Sequence, residues 1–141
     1  MLKKVLSGAT LLVITFGVGF WNGRETTVNA QAKNRVFELR IANLENKEKL
    51  KILMDRFRGG EVKIWERLGM KGVGFWVPIE GSKSENMLIY ILAHESKQAA
   101  DASWTKFRDD AEWLKFPKEP DLGKVTVDRT FMAPVDFSPM K

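Results

Sequence analysis

The sequence contains no cysteine, a single histidine and a single tyrosine in 141 residues. The lack of cysteine excludes disulfides, cysteine-ligated zinc, iron–sulfur clusters and thiol nucleophiles. One histidine is weak support for a metal site, because protein-bound zinc takes three or four protein ligands. The sequence also lacks a nucleophile elbow, a carboxylate pair at acid/base spacing and a glycine-rich phosphate loop. We therefore expect neither metal nor cofactor, and whether the protein is an enzyme stays open.

A concentrated patch of positive charge is also missing, although the formal net charge is +5. Part of that charge lies in the first 32 residues, and later charges alternate in sign, as in Lys47–Lys49 and Arg108–Asp110. A surface that binds phosphates needs clustered cations. The sequence therefore predicts no nucleic-acid partner.

What the sequence does contain is enough apolar material for one folded domain. Hydrophobic residues make up 44% of the chain, and they include five tryptophans and nine phenylalanines. A chain of this length corresponds to a single domain.

The N-terminal segment has the pattern of a secretory signal peptide. Lys3 and Lys4 precede an apolar stretch from Val5 to Trp21, and Ala30–Ala32 has the small-x-small pattern of a cleavage site. We predict a signal peptide over residues 1–32 and a folded domain over 33–141, which places the protein in the periplasm or outside the cell. The alternative is an uncleaved anchor that leaves the domain membrane-attached and facing away from the cytoplasm.

Periodicity predicts a strand and a long helix in the first half of this domain. Val36–Ile41 alternates with a period of two, as in a strand with two different faces. Apolar residues then recur at helical spacing from about Asn46 to Leu68, and Gly59 and Gly60 predict a kink in the middle. Gly69 is a typical helix stop.

The second half of the domain predicts three more strands and a second helix. Gly72–Ile79 is expected at an edge of the sheet because it contains proline, whereas the apolar run Met87–Ala93 is typical of a central strand. Ser96 can cap a helix that ends near Arg108, and a short turn around Trp113 follows. The last strand is expected over Lys124–Met132.

This β-α-β-β-α-β order predicts an α+β, ferredoxin-like sandwich in which a four-stranded antiparallel sheet carries both main helices on one face. The other face is then uncovered, and we expect Trp76, Leu88 and Leu92 to line it. A large exposed apolar face is unusual for a monomer. We therefore predict a homodimer in which two sheets close face to face and enclose a space between them.

Glu38 and Arg40 are the first candidates for a binding site, because they share one face of the first strand. If Phe37, Leu39 and Ile41 meet the helices, Glu38 and Arg40 point into the dimer interior. One interpretation is a polar pocket for a small anionic or polar molecule, with Arg40 as a forked donor. The other is an ion pair that fixes the register between subunits.

Tyr90 and His94 lie in phase on the third strand, and Tyr90 together with Trp76 is able to stack on a planar ligand. His94 is a candidate general base or axial haem ligand, or simply a polar residue that ends a strand. Helical spacing assigns four other aromatic residues to packing. These are Trp65, Trp104, Phe107 and Trp113.

Several runs of residues, in order and with compatible spacing over the whole predicted domain, resemble the NIPSNAP family. The runs are Val36–Arg40, Arg56–Arg58, Gly69–Met70, Val73–Pro78, Leu88–His94, Ser103–Trp104, Phe107–Arg108, Glu112–Trp113 and Pro134–Pro139. The resemblance implies the dimeric α/β-barrel fold but no established reaction.

Two functions remain open at this point. The first is an exported, homodimeric module that binds a small organic molecule or is purely structural. The alternative is a cofactor-independent monooxygenase or isomerase acting in the barrel interior, as in other families with this fold. There Glu38, Tyr90 and His94 would be the acid/base groups and Arg40 the anion stabiliser. Haem binding is a weaker third option, because only His94 is available as a ligand.

Overall fold

The computed structural model describes residues 35–141. The predicted signal peptide, residues 1–32, lies outside the described residues. Four strands, two main helical segments and one short helix make up the described fold. They are β1 (Val36–Asn43), α1 (Lys47–Arg56), a π-helical turn (Phe57–Glu61), α2 (Val62–Arg67), β2 (Lys71–Trp76), β3 (Met87–His94), α3 (Lys97–Arg108), α4 (Ala111–Lys115) and β4 (Thr126–Met132).

The sheet has the order β2-β3-β1-β4, and every neighbouring pair is antiparallel. This confirms the predicted ferredoxin-like arrangement, with β3 in the centre and β2 at an edge. The second strand is shorter than predicted, since it ends at Trp76 and leaves Pro78 beyond its end. Proline has no N–H to donate, so it fits poorly inside a ladder.

The first helical segment begins and breaks where the sequence predicts. The side chain of Asn46 accepts a hydrogen bond from the N–H of Lys49 at 3.0 Å and caps α1. Gly60 has a φ of +143°, which a residue with a side chain rarely adopts, and the chain passes through the π-helical turn there. Gly69, at a φ of +91°, ends the segment after α2.

Both main helical segments pack on one face of the sheet and form the core with it. Leu50, Leu53, Ile64 and Trp65 from the first segment and Phe107 from α3 belong to one buried cluster. Ala42, Leu88, Tyr90 and Leu92 supply the sheet side of that cluster. Even-numbered residues of β1 and β3 therefore face the helices.

The predicted orientation of β1 is wrong. Glu38 accepts a hydrogen bond from the indole of Trp104 on α3, so Glu38 and Arg40 point toward the helices and not toward a dimer interior. Leu88 and Leu92, expected on the uncovered face, lie in the core at 3% and 0% exposure. Alternation alone defines two faces without saying which one the helices cover, and β1 and β3 carry apolar residues on both.

The uncovered face is nevertheless apolar, through a different set of residues. Leu39 pairs with Ile91, and Ile41 pairs with Ile89, which in turn pairs with Trp76 on β2. The four aliphatic side chains are half-buried and Trp76 is 50% exposed. We call these five residues the open-face strip.

The C-terminal residues cover one end of this face. Residues 133–140 follow β4 and enclose a small cavity with Phe37 and Ile91. Phe37 is only 6% exposed as a result, whereas the open-face strip lies closer to the middle of the sheet. Within residues 35–141, no helix is long and apolar enough to cross a membrane.

Candidate functional site

A buried carboxylate, Glu38, is the centre of a polar network between the sheet and α3. Its side chain is 0% exposed. Oε2 accepts hydrogen bonds from His94 Nε2 and Trp104 Nε1, each at 2.8 Å. Because a carboxylate only accepts, Nε2 is the protonated nitrogen of the imidazole. The other ring nitrogen, Nδ1, is buried without a hydrogen-bond partner.

Arg40 connects the carboxylate to Tyr90. Its Nη1 donates to Glu38 Oε1 at 2.7 Å, and its Nε donates to the Tyr90 hydroxyl at 2.9 Å. The guanidinium carbon lies 4.3 Å from the centroid of the Trp104 ring, which is a cation–π contact. Arg40 thus has an anion, a hydroxyl and an aromatic face as partners.

The protonation of Glu38 follows from these contacts. Burial alone would raise the pKa of Glu38, but hydrogen bonds from His94, Trp104 and Arg40, together with the charge of Arg40, lower it to about 2. Arg129 on β4 adds a second cation 3.9 Å from Oε1. Glu38 is therefore ionised at neutral pH.

Four of the five predicted site residues meet in this network, and one does not. Glu38, Arg40, Tyr90 and His94 share the helix side of the sheet, whereas Trp76 lies on the uncovered face. The sequence predicts packing alone for Trp104, and the structure adds its hydrogen bond to Glu38. The available signal was chemical, since a buried indole N–H usually needs an acceptor.

Trp76, at the edge of the sheet, also borders an apolar cavity of about 490 Å³, which we call the β2 groove. The groove lies between the first helical segment and β2. Its apolar walls are formed by Met54, Phe57, Val62, Phe75, Trp76, Val77 and Leu88.

Aromatic rings in mutual contact form the back of the β2 groove and connect it to the polar network. The rings of Phe57 and Phe75 lie 6.0 Å apart, and both contact the ring of Tyr90 at 5.4 and 5.8 Å. Arg58 and Lys63 are the cations that line the groove. Arg58 is paired with Asp55 at 2.5 Å, so Lys63 is the cation better placed to meet a ligand charge.

Glu61 is a second buried carboxyl, which sequence reasoning missed. It ends the π-helical turn at 7% exposure, and its Oε2 has no hydrogen-bond partner. Burial raises the pKa of Glu61 to about 7, although the charges of Arg56, Lys118 and Arg40 oppose the change. A glutamate in a helical pattern resembles any exposed glutamate, and the sequence does not show that the kink at Gly60 precedes a buried one.

Within the described residues, no group of three or more histidine, aspartate and glutamate side chains is arranged to hold a metal ion. His94 is already bonded to Glu38 through Nε2, which leaves only its buried Nδ1 as a potential ligand atom.

Solved structures similar to this chain share its fold. A NIPSNAP family protein of unknown function from Agrobacterium tumefaciens has a TM-score of 0.65 and 22% identity, with 77% of this chain and 96% of that chain covered. A NIPSNAP-like domain protein from Burkholderia xenovorans has a TM-score of 0.64 and 15% identity, covering 76% and 90%. A dimeric ferredoxin-like protein from an uncultured marine organism has a TM-score of 0.51 and 14% identity, covering 72% and 97%.

The family follows from a direct match of the sequence. No curated protein matches the chain. The NIPSNAP family model matches residues 37–139, which contain all four strands except the first residue of β1. The match covers well over half of the sequence, and the protein therefore belongs to the NIPSNAP family.

Proposed function

We propose that this chain is an exported, homodimeric module that binds a small organic molecule in the β2 groove. The observation that carries the proposal is the groove itself, with about 490 Å³ of space between apolar walls. Pockets for small organic ligands span roughly 300 to 1,000 Å³ and are mostly apolar, with a few polar groups that orient the ligand.

The lining of the β2 groove indicates the chemistry of its ligand. Phe57 and Phe75 present rings to a flat apolar body, and Lys63 offers a charge at the side. An aromatic molecule with one anionic group satisfies both features, because its charge remains near Lys63 while its rings lie against the aromatic wall.

The homodimer is supported by the open-face strip. Leu39, Ile41, Ile89, Ile91 and Trp76 form one continuous apolar surface across three strands. A second copy of the sheet would remove this surface from water, which stabilises the pair by about 25 cal/mol per Å² of apolar area buried. Proteins of similar fold that are described as dimeric ferredoxin-like add to this support.

Export rests on the N-terminal pattern of Lys3, Lys4, the apolar stretch and Ala30–Ala32. The proposed location is the periplasm or the exterior, with an outward-facing membrane anchor as the alternative. The absence of cysteine is compatible with either, since the fold needs no disulfide.

The alternative activity, a cofactor-independent monooxygenase or isomerase, requires a group that exchanges a proton near neutral pH. Glu38 is poorly suited to that role, because three donors occupy its oxygens and its pKa lies at about 2. These contacts favour a network that fixes β1, β3 and α3 relative to one another. We therefore prefer ligand binding in the β2 groove to catalysis at the Glu38 network.

The experiment is a fluorescence titration of the full chain with 1-anilinonaphthalene-8-sulfonate, an aromatic anion. Val77→Trp fills the β2 groove from its rim and is expected to weaken binding at least tenfold. Val73→Trp is the matched control, because Val73 has nearly the same exposure, 36% against 38%, but does not line the groove. Equal affinity of both variants, or no binding to the wild type, would refute the proposal.

A further inference from the structure

A second cavity, of about 370 Å³, lies between α1 and residues 116–120. We call it the loop cavity. Ile52, Phe116 and Pro117 give it apolar walls, and Arg56 lines it with a cation. Arg56 Nη2 donates to the carbonyl oxygens of Lys118 at 2.6 Å and Pro120 at 3.3 Å. These carbonyls hold the guanidinium in place without neutralising its charge.

Lys118 does not line the loop cavity itself, but it brings a second cation within 5.6 Å of the ring centroid of Phe116, which does. Its ammonium donates to the carbonyl oxygen of Trp113 at 2.8 Å and lies 3.0 Å from the centroid of the Trp113 ring. A carbonyl and an aromatic face are again neutral partners. The two cations therefore have polar contacts that orient them, and both remain able to attract an anion.

Glu61 follows Gly60, which lies against a wall of this cavity. The ring of Phe116, which lines the cavity, would be 3.2 Å from a Cβ added at Gly60. Three cations on three elements act on the Glu61 carboxyl, namely Arg56 on α1, Lys118 on the loop and Arg40 on β1. The charge of Glu61 in turn acts on Tyr90 on β3.

We propose that the loop cavity binds small organic monocarboxylates through Arg56 and Lys118, and that Glu61 regulates this binding by competing for the same two cations. When Glu61 is protonated, the cations are free to bind the carboxylate of a ligand. When Glu61 is ionised, its charge offsets part of their positive charge and weakens their attraction for the ligand. The carbon part of the ligand packs against Ile52, Phe116 and Pro117.

The rim of the loop cavity restricts the charge of its ligand. Asp55 and Glu119 line it together with Lys51. Asp55 is bound by Lys51 and by Arg58, each at 2.5 Å, so its charge is locally balanced. The charge of Glu119 offsets part of the positive charge of Arg56 and Lys118. The remaining attraction suits a ligand with one negative charge better than a ligand with two.

The direction of the pH dependence follows from the state of Glu61. Burial raises the pKa of Glu61 to about 7, so the competing anion is absent below this pH and present above it. A bound carboxylate repels the Glu61 carboxylate and favours its protonation. Binding therefore takes up a proton near neutral pH and weakens as the pH rises.

The test is calorimetric titration of the full chain with benzoate at pH 6 and pH 8. We expect binding about five- to tenfold tighter at pH 6, the lower end of typical coupling between sites. In buffers with different ionisation enthalpies, the heats should report proton uptake at pH 7. In Glu61→Gln, which removes the competing charge, the affinity should be the same at both pH values and no proton should be taken up.

Further variants show which cations are responsible. Arg56→Gln and Lys118→Gln should each weaken benzoate binding at pH 6, whereas Arg108→Gln, on the exposed end of α3, should not. Circular dichroism checks that each variant is folded. An unchanged pH dependence in Glu61→Gln, wild-type affinity in both cation variants, or no binding to the wild type at pH 6 overturns the proposal.

The β2 groove and the loop cavity are lined by different residues, so the function proposed for one can fail while that of the other holds. Val77→Trp should leave benzoate binding unchanged. Loss of benzoate binding in that variant would show that the molecule occupies the β2 groove, and would likewise overturn the assignment to the loop cavity.

Discussion

Glu38 carries a full charge at a position removed from solvent, and the surrounding donors make that possible. His94, Trp104 and Arg40 replace the hydrogen bonds that water would provide. Such a group stabilises the fold only while its partners remain, because a buried ion without them has a large desolvation penalty.

Replacing Glu38 by glutamine should therefore be strongly destabilising. The variant leaves the largely buried Arg40 without its anion and should cost about 3 to 5 kcal/mol of the free energy of unfolding. Urea unfolding at pH 7 measures the loss. Asp101→Asn is the control, because it disrupts the exposed pair with Lys97 and should unfold nearly like the wild type. Similar midpoints for Glu38→Gln and the control would contradict the account of the network.

The pH dependence from Glu38 has a definite sign. Its pKa in the fold, about 2, lies below the ordinary value of 4.5. The stability that it contributes is thus fully present above pH 4.5 and is lost as the pH falls through 2. Acid unfolding of the wild type should steepen in this range compared with Glu38→Gln.

Glu61 has the opposite sign, since its pKa rises from 4.5 to about 7. Its contribution is fully present below pH 4.5 and is lost as the pH rises through 7. Glu61→Gln should match the wild type at pH 4 and be more stable at pH 8.5, by roughly 3 kcal/mol. Thermal unfolding at both pH values measures this. Equal gains at the two values would mean that the effect is not one of charge.

At the scale of single residues, part of the site could be predicted from the sequence. Alternation correctly grouped Glu38 with Arg40 and Tyr90 with His94, because residues two apart in a strand share a face. Alternation assigned Glu38 and Arg40 to the wrong face of the sheet, because the sequence of a strand does not show which face the helices cover. Trp104 joined the network because its helix crosses above Glu38, a long-range fact invisible to local spacing.

At the scale of elements, the break in the first helical segment is the feature that positions a functional group. Gly60, at a φ of +143°, breaks the helical geometry, and the next residue, Glu61, is buried. The paired glycines predicted this kink, and the helix ends at Asn46 and Gly69 were also predictable from capping chemistry. The burial of Glu61 was not predictable, because it depends on how the two helices meet at the kink.

The two glycines of this turn should respond differently to alanine. Gly60→Ala forces a side chain into a φ of +143° and toward Phe116 at 3.2 Å, which should destabilise by about 1 to 3 kcal/mol. Gly59→Ala meets nothing within 4 Å and should be neutral or stabilise by about 0.4 to 1 kcal/mol. Chemical unfolding of the pair provides the comparison. An equal loss in both variants would argue against a backbone constraint at Gly60.

At the scale of the whole molecule, the fold leaves one face of the sheet with an apolar strip. The strand order and both layers could be predicted, because they follow from the order of strand and helix patterns along the chain and from the short connections between them. The residues of the strip could not, because choosing between the two faces of β1 and β3 requires knowledge of where the helices lie.

A charge placed in the open-face strip should disrupt the proposed homodimer. Ile89→Asp puts a carboxylate between Ile41 and Trp76, where a partner sheet would have to desolvate it. Ala102→Asp adds the same charge on the exposed surface of α3 and is the control. Sedimentation equilibrium should give monomers for the first variant and dimers for the second. A dimer that tolerates Ile89→Asp would place the interface elsewhere.

Native mass spectrometry of the full chain with added 1-anilinonaphthalene-8-sulfonate tests assembly and binding in one spectrum. Two copies of the chain carrying two dye molecules are the predicted species, with Val73→Trp giving the same result and Val77→Trp giving a dimer without dye. Single chains, or equal dye occupancy in both tryptophan variants, would contradict a homodimer that binds its ligand in the β2 groove.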